Sequence, residues 1–490
     1  MNRPIRVLAA GVFAIFVVLV GAVTYHQLIV GPEYRDDPRN VRVATGRTGR
    51  ERGTIITADG VVVAVSEADP DDPLSFRRSY PEGALYGHTV GYTTLLFGNQ
   101  GLESFHGDDL VSNRDATISG VISALLGGDV RPKGLRLTIE HDLQVAAREA
   151  LGDQRGAVVA LDPRTGAILA MVSTPDFDPN TLVGGSAGAT GVALEEDPVE
   201  PLLNRATSAA YPPGSTFKIV TAAAAFESGS ASAGTPYPNP VELELPGSTA
   251  TISNFDGQTC GPGSEVPLST AFIRSCNTVF GQLGMDVGAE QLVGTAEFFG
   301  FNAEIPIDIR SVVSSIPPAE SFEFDVPALA QSAIGQRDVR ATPLQMALLT
   351  AAVANGGEIM VPYLTEEVFN AEGVVERSAE PVVWIRATSP GAASVLAGLM
   401  EGVVTSGTGR RASVPGVRVA GKTGSAEVPD EAPHAWFVGF GPVDAAPDDP
   451  QIAIAVLVES GGDAGEAATG GTVAAPIAQT VFAEFFEEGS

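Results

Sequence analysis

Two of the chain's three lysines stand where a titratable amine has chemistry to do. Lys218 closes Ser215-Thr216-Phe217-Lys218 and Lys422 opens Lys422-Thr423-Gly424; the third is Lys133, against 26 arginines. A guanidinium stays protonated in a protein, whereas a buried or crowded ammonium can lose its proton. Lysine kept where arginine is the habit therefore marks places that need a titratable amine. Serine becomes a nucleophile only beside a base, and a partly desolvated lysine three residues along a helix shares its face. Tyr211-Pro212-Pro213-Gly214 is a stiff approach that predicts a helix start at Ser215. Unpaired N–H groups and the helix dipole favour an oxyanion at such a start. Alone, Ser-x-x-Lys describes an N-cap serine and a solvated lysine just as well.

Two further motifs change that balance. Ser275-Cys276-Asn277 also lies beside a predicted helix; with a loop between them, its hydroxyl and amide can face one point, the serine relaying a proton and the asparagine holding an amide or a lysine. By itself it reads as ordinary helix capping. Lys422-Thr423-Gly424 falls on a predicted strand, Val417–Glu427, where the glycine removes a side chain and opens the backbone to a ligand. Lys422 supplies a cation and Thr423 a hydroxyl for a carboxylate. The amide of Ser425 can pair with that of Ser215 around a developing oxyanion.

The elements that must position these residues divide the chain. Residues 31 to about 132 are rich in Gly, Arg and Asp, with short apolar alternations around Asp59-Gly60, a hairpin signal. They predict a β-rich module, followed by a helix over Asp142–Leu151. From Gly156 the character changes: two apolar runs, 156–161 and 167–172, flank Asp162-Pro163-Arg164-Thr165-Gly166 and predict a β-hairpin. A Gly/Ala/Glu loop is expected over 184–200. Helices are expected over Thr216–Glu227, Thr270–Gly284, Gln331–Asn355 and Ala392–Val404. Strands at Val417–Glu427, His434–Gly441 and Ile452–Glu459 and a last helix at Ala474–Glu487 complete an α/β domain, an antiparallel sheet faced by helices.

Whole-chain properties exclude several functions. A net charge of −30, from 59 acidic and 29 basic residues, repels phosphate backbones and argues against nucleic-acid binding. The five histidines are scattered and no Cys-x-x-Cys pair occurs, so neither a metal site nor a metal cofactor is expected. Cys260 and Cys276 fit either a disulfide in an oxidising compartment or two buried thiols. No Asp, Glu, Lys or Arg occurs from Val7 to Pro32, and the run is flanked by Arg3 and Arg6 on one side and Glu33 and Asp36 on the other. About 20 apolar residues cross a bilayer as a helix, and the leading arginines favour a cytoplasmic amino terminus. A retained single-pass anchor, with the remainder outside the plasma membrane, is the expectation. A cleaved signal peptide is the rival, and no clean small-x-small site follows the run.

Ser-x-x-Lys, Ser-x-Asn and Lys-Thr-Gly in this order form a set shared by penicillin-binding proteins and class A β-lactamases. More of the chain resembles the class B, monofunctional penicillin-binding proteins. Arg52-Gly53-Thr54-Ile55, Tyr80-Pro81, His88 with Gly91-Tyr92, and Gly101-Leu102-Glu103 resemble that family's pedestal. Tyr211 through Lys218 and Ala435-Trp436-Phe437-Val438-Gly439 resemble its catalytic domain. The short pedestal and the lack of a carboxy-terminal extension are similar to the actinobacterial penicillin-binding protein A type. The resemblance implies a cytoplasmic tail (1–6), an anchor (7–30), a membrane-proximal, dimerisation-type pedestal (31–150) and a β-lactamase-like transpeptidase domain (151–490).

It also implies a peptidoglycan D,D-transpeptidase without cofactor. Ser215 would attack the penultimate carbonyl of a D-Ala-D-Ala stem peptide, Lys218 would take its proton, and Lys422 would help keep Lys218 neutral. Ser275 would relay that proton to the departing D-alanine, Asn277 would hold the substrate backbone, and Lys422 with Thr423 its carboxylate. β-Lactam antibiotics would acylate Ser215, and a separate membrane glycosyltransferase would supply glycan strands. A Cys260–Cys276 bridge would set the geometry of Ser275 and Asn277. A D,D-carboxypeptidase or a non-catalytic cell-wall scaffold are the alternatives. A β-lactamase-like hydrolase is another, although no Glu-containing deacylation loop stands out. Ser-His-Asp chemistry is disfavoured because His434 is the only histidine after residue 150.

Overall fold

A computed structural model describes residues 2–25, 49–69, 75–94, 96–111, 131–183, 187–255, 257–446, 449 and 451–488. The end of the expected anchor, the first part of the expected pedestal and residues 184–186 of the expected loop lie outside them. Asn2–Tyr25 is one helix, and its Ile5–Tyr25 portion, 21 residues, is long and apolar enough to cross a membrane.

The part of the chain that carries the three motifs is organised by a five-stranded antiparallel sheet. Its order is Ala420–Val428, Glu431–Gly441, Ile452–Val458, Gly156–Leu161 and Ile168–Thr174. The central strands read as unbroken apolar runs because both faces are covered. Alternate residues serve two cores. Val158, Ala160, Ile454 and Val456 pack with Leu143, Ala147, Ala478 and Val481 from helices His141–Leu151 and Ala475–Glu488. Ala157, Val159, Ala453 and Ala455 join the larger core on the other face, which holds the helix Pro343–Ala354. Alanines on that face leave room for the helix to lie close. The order also leaves Ala420–Val428, the strand carrying Lys422, at the sheet's edge, with one strand partner among the described residues.

A second sheet has six strands ordered Val375–Ser378, Thr365–Phe369, Gly134–Leu137, Ile55–Ile56, Val62–Ala68 and Phe76–Ser79. The Asp59-Gly60 hairpin forms as expected, pairing Ile55 with Ala64. Two strands of this sheet, 365–369 and 375–378, come from chain that lies beyond the Ser215 and Ser275 motifs. That long-range partnership couples this sheet to the part of the chain that carries the serine motifs. Below it, Glu103, wholly buried, accepts from Arg52 Nε at 2.7 Å and from Arg78 Nε at 2.6 Å. The two guanidiniums outweigh desolvation and hold the Glu103 carboxyl below the usual carboxylate range.

Several element boundaries differ from expectation. The helix expected over Thr270–Gly284 is two helices, Leu268–Arg274 and Asn277–Val287, broken at Ser275 in the left-handed region (φ 63°). Gln331–Asn355 is likewise split, into Val326–Ser332 and Pro343–Ala354, with Gly335 at φ +72° between them. A helix, Ala187–Glu195, occupies most of the expected loop; it is rich in Ala and Gly and exposes much of its length.

Candidate active site

Ser215 sits in a single 3-10 turn, Gly214–Phe217, and the α-helix Lys218–Ser228 begins only at the lysine. The turn is held from three sides. Gly214 N donates to Gly335 O at 2.9 Å. Thr216 Oγ1 donates back to Pro213 O at 2.6 Å. Trp436 Nε1, from the strand beside the edge strand, donates to Pro212 O at 2.9 Å. The edge strand closes on the turn because Gly424 lacks a side chain: a Cβ there would fall 2.9 Å from Pro213 O and 3.0 Å from Thr216 Cγ2.

Both motif lysines are completely buried, and they converge on the second motif. Lys218 Nζ donates to Ser275 O at 2.7 Å and to Asn277 Oδ1 at 2.8 Å, and lies 3.5 Å from Ser275 Oγ. Lys422 Nζ donates to Ser275 Oγ at 2.7 Å and to its neighbour's carbonyl, Thr423 O, at 2.9 Å. Aromatic rings flank both amines: the Phe280 ring lies 5.5 Å from Lys218 Nζ and the Phe272 ring 5.8 Å from Lys422 Nζ. The break at Ser275 is what lets its hydroxyl stand between the two amines. Among the described residues no hydrogen bond joins Ser215 Oγ to Lys218 Nζ; the amine faces the Ser275–Asn277 turn.

Burial shifts both amines toward the neutral form. Lys218 is driven well below the ordinary lysine range, by desolvation first and by the Lys422 charge second. Both causes match the expectation of a partly desolvated lysine that Lys422 helps to keep neutral, and burial is the larger of the two. Lys422 is pushed down to about 7, by desolvation. A neutral Lys218 beside a Lys422 still charged below neutral pH is the protonation state that suits a base and a carboxylate-binding cation. The second-order rate of acylation by a carboxylate-bearing β-lactam is therefore expected to be bell-shaped in pH. On the acid side it rises as Lys218 loses its proton, and on the alkaline side it falls near pH 7 as Lys422 loses its own. A stopped-flow profile from pH 4 to 9 checks this; a rate flat across the range would contradict it.

The remaining expected residues are close by. Thr423, nearly buried, has its hydroxyl 2.5 Å from that of Thr408, and Ser425 follows on the same edge strand, its Oγ 3.4 Å from Gly470 N. Cys260 and Cys276 form a disulfide with Cα atoms 5.9 Å apart, tying the segment before helix Leu268–Arg274 to the Ser275–Asn277 turn. Sequence reasoning missed Thr408, Ser253 and Asn254. Asn254 Oδ1 accepts from Asn277 N at 2.9 Å, and Ser253 O accepts from Asn277 Nδ2 at 2.9 Å. No local pattern flagged these residues, because their role depends on contacts made far along the chain.

A serine at a helix entrance, two buried lysines meeting at a second serine, and a Lys-Thr-Gly edge strand on a helix-covered antiparallel sheet define a penicillin-binding transpeptidase. The chain belongs to that family: the penicillin-binding protein transpeptidase domain matches residues 156–483, and the penicillin-binding protein A dimerisation domain matches residues 52–135. Among relatives, the peptidoglycan D,D-transpeptidase PbpA of Mycolicibacterium smegmatis is 39% identical over 100% of both chains. PbpA of Mycobacterium tuberculosis H37Rv is 37% identical over 98% of each. The ceftriaxone acyl-enzyme complex of M. tuberculosis penicillin-binding protein A superimposes with a TM-score of 0.81 at 36% identity, covering 89% of this chain and 98% of that one. A D,D-transpeptidase domain from Eggerthella lenta gives 0.78 at 36% identity, over 90% and 99%.

Proposed function

We propose that this chain is a peptidoglycan D,D-transpeptidase that works through a Ser215 acyl-enzyme and is inactivated covalently by β-lactams. The observation that carries the reading is the convergence of two fully buried lysines on Ser275, where the Lys-Thr-Gly edge strand closes on the turn that holds Ser215. Neutral Lys218 takes the Ser215 proton as Oγ attacks the penultimate D-alanine carbonyl. The amides of Ser215 and Ser425 receive the oxyanion. Collapse expels D-alanine, whose nitrogen takes the proton back through Ser275. Asn277 orients the substrate backbone, Lys422 and Thr423 hold its carboxylate, and Gly424 keeps the strand close to the nucleophile. The amine of a neighbouring stem peptide then attacks the ester, releasing Ser215 and forming a 4,3-type cross-link.

The same reading orients the chain. The amino-terminal helix anchors it in the plasma membrane with Arg3 and Arg6 inside and the pedestal (31–150) and transpeptidase domain (151–490) outside. The 31–150 stretch is too short for a glycan polymerase, so a separate membrane glycosyltransferase is the implied partner.

Muropeptide analysis after incubating the full-length protein in detergent with uncross-linked, pentapeptide-bearing glycan tests the reaction. Cross-linked dimers dependent on Ser215 support it. Trimmed tetrapeptides alone would make it a D,D-carboxypeptidase. No product from a folded protein would leave a scaffold. Within this mechanism, Thr423→Val keeps the side chain's shape and removes its hydroxyl. It is expected to slow acylation by carboxylate-bearing β-lactams roughly tenfold or more, and to spare ligands whose carboxylate is esterified. Equal losses for both ligand types would refute the carboxylate role.

A further inference from the structure

The segment between the two serine motifs reaches back to the site through one buried amide. Helix Asn277–Val287 begins without a cap of its own, since Cys276 at its N-cap position makes no side-chain hydrogen bond to it. A helix start leaves free N–H groups that need acceptors, and Asn254 supplies one from the end of the hairpin formed by Glu242–Glu244 and Thr251–Ser253. Its Oδ1 accepts from Asn277 N at 2.9 Å and from Thr278 N at 3.2 Å. Asn254 is only 8% exposed, and its Nδ2 donates to Gln258 O at 2.8 Å, which fixes the sense of the amide. The adjacent Ser253 carbonyl takes Asn277 Nδ2, so Asn277 Oδ1 is left facing Lys218 Nζ at 2.8 Å. One loop thus sets both the backbone and the amide direction of the residue that holds the lysine.

We propose that Asn254 is a positioning residue for acylation: by capping the Asn277 helix from the hairpin, it holds Asn277 Oδ1, and through it the Lys218 amine, in register with Ser215. Lysine has a long, flexible stem, and in a fully buried site its head is placed by its acceptors. An error of about 1 Å in such placement can slow chemistry about a hundredfold. The inference rests on the transpeptidase reading above.

Asn254→Ala removes the cap, whereas Asn254→Asp keeps the acceptor and adds a carboxylate behind Asn277. The charged side chain facing Lys218 is Lys422, from the edge strand; the Ser275–Asn277 turn offers neutral oxygens and the helix beyond it Phe280. A new carboxylate there favours protonated lysine. Stopped-flow benzylpenicillin acylation of the full-length protein in detergent, across pH, separates the outcomes. Asn254→Ala is expected to lower the limiting acylation rate roughly ten- to a hundredfold with little change in initial, non-covalent affinity. Asn254→Asp is expected to recover most of that rate and to move the pH profile to higher pH. Wild-type rates and profiles in both variants would overturn the proposal. Equal slowing in both with an unmoved profile would also overturn it, reducing Asn254 to a structural residue. Should Asn254→Ala not fold, the profile of Asn254→Asp decides alone. Failure of the wild-type protein to acylate at all would instead remove the transpeptidase reading beneath it.

Discussion

Lys218→Arg is expected to slow acylation of Ser215 by about a thousandfold or more, the upper part of the range for a lost general base. Arginine preserves the positive charge and the reach but cannot give up its proton. A side chain kept for charge alone would tolerate the change, and one kept for its lone pair would not. The site is fully buried, and its two closest oxygen partners, Ser275 O and Asn277 Oδ1, are already placed for an amine. The larger head group also costs packing energy, on the order of 1–3 kcal/mol. Lys218→Met, close in length and neutral, separates the two effects: it is expected to fold normally and still to acylate as slowly. Both variants are read by gel or mass detection of the β-lactam adduct, beside a thermal melt. Near-normal labelling in either would remove Lys218 from the base role.

Gly335→Ala is expected to damage the site from outside every motif. Gly335 has φ +72°, and a Cβ there would lie 2.1 Å from Gly214 O and 2.7 Å from Phe217 Cβ. Those atoms are backbone and core, so the nucleophile turn itself must move. Strain and overlap together are expected to cost about 3 kcal/mol or more, seen as a lower urea midpoint, with a fall in acylation rate. Gly356 is the matched control: its φ is +60° but nothing lies within 4 Å of a Cβ there. Gly356→Ala is expected to lose only the conformational part, about 1–2 kcal/mol, and to acylate normally. Similar behaviour of the two variants would show that the close approach to Gly214 does not matter.

Features fixed by local pattern were legible in the sequence. The hairpin around Asp162–Gly166, the Asp59-Gly60 turn and the three final strands follow from alternation and turn residues, and they form where expected. Breaks imposed from a distance were not. Ser275 adopts a left-handed conformation that few non-glycine residues choose, between a disulfide and two lysine contacts, so Thr270–Gly284 read as one helix. Pairing of strands 365–378 with the six-stranded sheet was equally hidden, because it joins parts of the chain that no local pattern connects. The candidate site shows the same division. Its three motifs were readable from residue types and order. The facing of Lys218 toward Asn277 and Ser275, the contact of Thr408 with Thr423, and the cap from Asn254 all depend on where distant segments meet.

The most direct test of the account is the intact mass of the full-length protein in detergent after exposure to benzylpenicillin, followed by peptide mapping. The account predicts one stable penicilloyl adduct, on the peptide carrying Ser215, absent from Ser215→Ala, which should melt as the wild type does. An adduct on another residue, or retained labelling of Ser215→Ala, would contradict the nucleophile assignment. A folded protein that leaves the drug intact, or one that destroys it with turnover, would contradict the acyl-transferase itself.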